Sequence, residues 1–135
     1  MSMKRSIIRT AHAPAAIGPY SQAVVVPVGG QRMVFCSGQI ALDPATGALI
    51  EGDIAAQTRQ VLENVRAALA RAGATMEHVV RTRIYVRDIR GWEAIGRVHG
   101  EYFGAIRPAT AMVEVSGLVD PDMLVEIEVD ACVTD

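Results

Sequence analysis

Aromatic residues make up only 4% of this 135-residue chain, although half of it is hydrophobic. A core with so few rings must be assembled from Val, Ile, Leu, Ala and Met, which suits a compact α/β or α+β domain. Cysteine is nearly absent: Cys36 and Cys132 each sit in an apolar, strand-like run, and neither has metal-ligand spacing, so buried free thiols are expected and a disulfide framework is not. His12, His78 and His99 are scattered with no second ligand type at a binding interval, which argues against a metal site. Neither charge dominates: 13 basic and 15 acidic residues leave −2, too little to draw nucleic acid or an anionic membrane. No window approaches the ~20 apolar residues of a membrane span. The opening MSMKRSIIRTAH is basic but has no apolar leader core. The expectation is a soluble cytoplasmic protein with neither membrane nor nucleic acid as partner. Phosphate loops, nucleotide fingerprints and nucleophile triads are also missing.

What is present organises the whole chain, residues 1–135, as one domain able to bury roughly two thirds of its unfolded surface. SIIRT reads as a short first strand. AVVVPVGGQRMVFCSG reads as a hairpin turning at Gly29 and Gly30, with Pro27 placing its first arm near an edge or bulge. From Asp53, a plausible N-cap, Ile54, Thr58, Val61, Leu62, Val65 and Leu69 recur at helical spacing until Gly73 stops the run. HVVRTRIYVRD alternates, with Val80, Thr82, Ile84 and Val86 on one side and Arg81, Arg83, Tyr85 and Arg87 on the other. A second helix follows with Trp92, Ile95, His99, Tyr102 and Phe103 near one face, His99 reading as a hydrogen-bonded structural histidine. TAMVEVSGL and DMLVEIEVDACV close the chain as two strands, the last with Met123, Val125, Ile127, Val129 and Ala131 opposite Leu124, Glu126, Glu128 and Asp130.

The order β, ββ, α, β, α, ββ predicts an α+β sandwich, two helices on one face of a mixed sheet. Two helices cover only one side. The other is mixed in polarity; it is either solvent-exposed or, as we expect, buried against another subunit. Its acidic stripe of Glu126, Glu128 and Asp130 could pair across strands with Arg81, Arg83 and Arg87.

Chemistry is left to polar residues at element edges. In APAAIGPYSQA, Pro14, Gly18 and Pro19 forbid helix and strand and present Tyr20 from a stiff loop. Ser37 ends a hairpin arm in CSGQI, and Glu126 lies in LVEIEVD. Singly, each has a bland reading: a loop aromatic, a strand terminus, one acid of a charged face.

Together, APAAIGPYSQA, SGQIALDPATG, DIAAQTRQVLENVRAAL, RPATAMVEV and LVEIEVDACV, in that order and over nearly the whole chain, resemble the RidA/YjgF family, also known as endoribonuclease L-PSP. The resemblance implies a chorismate-mutase-like fold with a mixed six-stranded sheet, and a homotrimer with sites in clefts between subunits. It implies no metal or organic cofactor, and hydrolytic deamination of a small enamine or imine to a carbonyl compound and ammonia. Tyr20, Ser37 and Glu126 match the family's catalytic positions, Glu126 handling water, and Gly38 lines the same cleft. Met112 stands where many relatives have cysteine. Thr110 stands where relatives with imine deaminase activity carry an arginine that clamps the substrate carboxylate. One neutral hydroxyl cannot replace a forked guanidinium. Either the substrate lacks that carboxylate, or another cation such as Arg107 serves, or the protein is a non-catalytic trimer binding a keto-acid-like metabolite. A ribonuclease is the weakest reading, without a basic aromatic platform or paired catalytic histidines.

Overall fold

The alternating segments pair into one six-stranded sheet in the computed structural model, which describes residues 4–134. In chain order the elements are β1 (Ser6–Ile8), β2 (Ala23–Val28), β3 (Gln31–Gln39), α1 (Ile54–Arg71), β4 (Val79–Val86), α2 (Trp92–Phe103), β5 (Ala109–Glu114) and β6 (Val125–Thr134). Across the sheet they run β1-β2-β3-β6-β4-β5. Only β4 and β5 are parallel, and α2 makes the crossover between them. This is the expected α+β order, with β6 inserted at the centre.

Local chemistry explains the boundaries. The β2–β3 turn places Gly29 at φ 62°, a conformation that a Cβ disfavours. Pro27 lies beyond the end of β1, where β2 has a neighbour on one side only. At the start of α1, Asp53 Oδ1 accepts a hydrogen bond from Ala56 N at 3.0 Å. At its end, Ala74 N donates to Leu69 O (2.8 Å) and Gly73 N to Ala70 O (3.0 Å), a Schellman closure with Gly73 at φ 79°. Val61, Leu62, Val65, Ala68 and Leu69 of α1 pack fully buried against the sheet.

Two sequence expectations change. Strict alternation placed Val80 beside Thr82, but Val79 opposes Ala131 while Arg81 opposes Asp130, so Val80 is the extra residue of a bulge. Val79 is therefore buried and Val80 is 47% exposed. In α2 the buried stripe is Ile95, Val98 and Phe103; Trp92, the first residue of the helix, is exposed, so burial begins one turn later.

Register sorts the side chains into two faces. Ile8, Ala23, Cys36, Val129, Thr82 and Thr110 stand side by side and face the helices; Ile7, Val24, Phe35, Asp130, Arg81 and Ala109 face away. The away face exposes Ile7, Phe35 and Val113 and carries the acidic stripe. Of the arginines expected to pair with that stripe, only Arg83 does so among the described residues, 3.2 Å from Asp130 and 3.6 Å from Glu128. Tyr85 shares the role, its hydroxyl donating to Glu128 Oε1 at 2.7 Å. Cys36 and Cys132 are both free thiols; burial pushes Cys36 up to about 12, whereas Cys132 is partly exposed on the away face.

Candidate functional site

Three buried amide side chains hold the segments that carry the site. Gln22 accepts from Thr10 N (2.7 Å) through Oε1, while its Nε2 reaches the carbonyls of Thr10, Ala13 and Pro14, stapling the Tyr20 loop from inside. Asn64 Nδ2 donates to Ile40 O and Leu42 O, both at 2.9 Å, fixing the chain that leaves Ser37 and Gly38. Gln57 Nε2 donates to Asp122 O (2.9 Å) and its Oε1 accepts from Leu124 N (2.8 Å), setting the entry to β6 two residues before Glu126. Each amide replaces backbone partners that a loop would otherwise leave unsatisfied in the interior. Sequence reading assigned none of the three a role. The available signal was a polar amide at a buried helical position, as Gln57 and Asn64 are in the α1 stripe.

A second bulge shapes the site itself. Cys36 opposes Val129 and Gln39 opposes Ile127, so Ser37 and Gly38 together face the single residue Glu128. Glu126 fills the space that a side chain at position 38 would need. A Cβ built on Gly38 would lie 2.9 Å from Glu126 Cδ and overlap its Oε2. Only glycine lets the carboxylate lie on the strand in this way.

The Glu126 carboxyl is half-buried, and desolvation, followed by the nearby Glu128 charge, holds its pKa above the ordinary value. On its other side Glu126 borders a hollow of about 540 Å³ with Tyr85, Val115, Gly117, Leu118, Val119 and Glu128. The hollow is shallow and open to solvent.

Tyr20 and Ser37 meet in a smaller depression, shared with Pro14, Gly38 and Ile40, whose free volume of about 20 Å³ admits little more than one water. Ser37 Oγ donates to Ser21 O at 2.5 Å and Ser37 N to Gln22 O at 2.9 Å, which ties the hairpin arm to the loop. Tyr20 is 51% exposed, and its hydroxyl oxygen accepts from Ile17 N at 3.3 Å. Of the four residues predicted here, Tyr20, Ser37 and Gly38 line this depression, and Gly38 also lies against Glu126; Glu126 itself faces the separate hollow, which neither Tyr20 nor Ser37 lines.

The other three lie elsewhere. Thr110 and Met112, on β5, stand beside Thr82 and Ile84 and so face the helices, the opposite side from Glu126, and two strands away from it, roughly 10 Å. Arg107, the cation offered in place of a clamp, lies in a turn and not on a strand. It adopts φ 55° in the turn after α2, with its N donating to Phe103 O, and its side chain is exposed. His99 behaves as a structural histidine: Nε2 lies 2.9 Å from Thr82 Oγ1, its ring packs on Phe103, and burial lowers its pKa. Among the described residues no group of three His, Cys, Asp or Glu side chains could hold a metal ion, and no helix is long and apolar enough to cross a membrane.

The chain matches the family model described as Endoribonuclease L-PSP over residues 10–133. It is 43% identical to a RutC family protein of Pyrococcus abyssi over 93% of this chain and 95% of that one. It is 41% identical to the 2-iminobutanoate/2-iminopropanoate deaminase of Bos taurus over 87% and 82%, respectively. A crystal structure of a protein of the conserved Rid family from Yersinia pestis superposes with a TM-score of 0.86 at 46% identity, covering 95% of this chain and 98% of that one.

Proposed function

Because the chain belongs to the endoribonuclease L-PSP (RidA/YjgF) family, we propose that it hydrolyses a small reactive imine or enamine to a carbonyl compound and ammonia. The observation that carries this reading is the Glu126 carboxyl, laid on Gly38 and desolvated beside a 540 Å³ hollow. A carboxyl whose pKa is raised above the ordinary value is a stronger base than a free carboxylate, which suits it to take a proton from water. One water proton passes to Glu126 as the water oxygen bonds to the imine carbon, and the carboxyl returns that proton to the nitrogen. The resulting carbinolamine collapses, its hydroxyl proton moving to the departing nitrogen, so that the carbon–nitrogen bond breaks and ammonia leaves. Tyr20 and Ser37 orient the ligand from the stiff loop and the bulged strand. The chemistry requires neither metal nor organic cofactor.

We further propose a homotrimer. The uncovered sheet face exposes Ile7, Phe35 and Val113, and the β5 edge with Thr110 and Met112 can reach Glu126 only from a neighbouring copy. The substrate differs from that of arginine-bearing relatives because Thr110 offers no charge to a carboxylate. A metabolite-binding trimer without turnover is the rival.

The test is an imine panel followed by ammonia release, for wild type, Glu126→Gln and Gly38→Ala. Both variants should fold and lose at least a hundredfold in kcat, since Gly38→Ala only has to displace the flexible end of Glu126. Wild type that binds panel members saturably without releasing ammonia would establish the rival instead.

A further inference from the structure

Resting on the reading that Thr110 borders the ligand site, we infer that Thr110 is a specificity-determining residue that presents only hydrogen-bond acceptor character to the ligand, so that the site selects imines bearing a neutral donor group, such as an amide or hydroxyl, where a carboxylate would otherwise stand. The inference comes from where the hydroxyl proton goes. Thr110 Oγ1 lies 3.1 Å from Pro108 O, an oxygen that only accepts, and 2.9 Å from Thr82 Oγ1. Thr82 is fully buried and lies in turn 2.9 Å from His99 Nε2.

Two orders of donation satisfy this chain. In one, His99 Nε2–H donates to Thr82, Thr82 to Thr110, and Thr110 to Pro108 O. In the other, Thr110 donates to Thr82, and Thr82 donates to a proton-free His99 Nε2. In both, the single Thr110 proton is taken up by an oxygen of the protein, and what remains for a ligand at this exposed residue is an oxygen lone pair. An ionised carboxylate has only lone pairs of its own, so it can approach Thr110 only by breaking an internal hydrogen bond or meeting repulsion. A ligand N–H or O–H meets a ready acceptor. Arg107, the nearest cation in sequence, is turned into the left-handed residue that follows α2, and its guanidinium makes no hydrogen bond or ion pair among the described residues.

The experiment compares pyruvamide with pyruvate, two product-like probes of the same shape, by calorimetry and by the NMR shifts of Thr110 and His99, alongside turnover of the imine panel. The expected result is tighter binding of the amide by about tenfold or more, with both resonances shifted. Thr110→Val should reduce the preference to within about twofold, Thr110→Ser should keep it, and Thr110→Arg should reverse it. Pyruvate binding as tightly as pyruvamide overturns the inference; if Arg107→Ala then abolishes pyruvate binding, Arg107 is the clamp. Amide preference without hydrolysis of any imine upholds the inference and removes the deaminase reading. No binding of either probe removes both.

Discussion

At the scale of the residue, Glu126 shows how a function can oppose stability. Its folded pKa lies above the ordinary 4.5 because ionisation within a half-buried site close to Glu128 is unfavourable. A carboxyl raised in this way favours folding while it holds its proton, and that contribution is lost as pH rises from the ordinary value through the folded one. Glu126→Gln should therefore melt above wild type at neutral pH, and the gap should close as pH falls below 4.5, measured by thermal unfolding across a pH series. An unchanged gap at all pH values would mean that the carboxyl pays no ionisation penalty. Sequence could mark Glu126 but not this environment. LVEIEVD shows three alternating acids, and only the bulge that brings Gly38 beneath one of them separates it from the other two.

At the scale of the element, period and capping chemistry made α1 readable from Asp53 to Gly73, and the glycine pair fixed the β2–β3 hairpin. Both bulges stayed hidden, because an extra strand residue has no compositional mark in VVRT or CSGQ. The amide braces were hidden for a related reason: Gln57 and Asn64 contact backbone atoms 65 and 22 to 24 residues distant, and sequence does not encode those partners locally. Gln57→Leu would strand Asp122 O and Leu124 N in a partly buried setting, each at a cost of about 1 to 3 kcal/mol. The variant should lower the denaturant midpoint at unchanged slope, and at temperatures where it is still folded it should also lose activity, since the brace lies two residues from Glu126. Full activity with lost stability would show that the brace supports the fold without aligning the acid.

At the scale of the whole molecule, the sequence anticipated a sheet covered on one side, and the register gives the uncovered side its composition: apolar Ile7, Val24 and Phe35 at one end, charged Asp130 and Arg81 further along the same row. Cys132 stands on that side next to Met33, whereas Cys36 is buried under the helices. In the proposed trimer neither thiol should react with iodoacetamide in the native state. Phe35→Asp, which adds a charge opposite Asp130, should yield a single-chain species by light scattering in which Cys132 alkylates readily and Cys36 still does not. Wild type that scatters as one chain with a reactive Cys132 would leave the uncovered face to solvent.

The central position of β6 also bears on biosynthesis. Gln31 pairs with Thr134 and Arg83 with Glu128, so β3 and β4, both made before β6, have no central partner until residues 125–134 have been synthesised. The nascent chain must carry the open edge of β3 from residue 39, and that of β4 from residue 86, until residue 125 is reached, and a message truncated before those codons leaves both permanently unpaired. Arrival of β6, more than formation of either helix, is then the event that commits the domain to the native state.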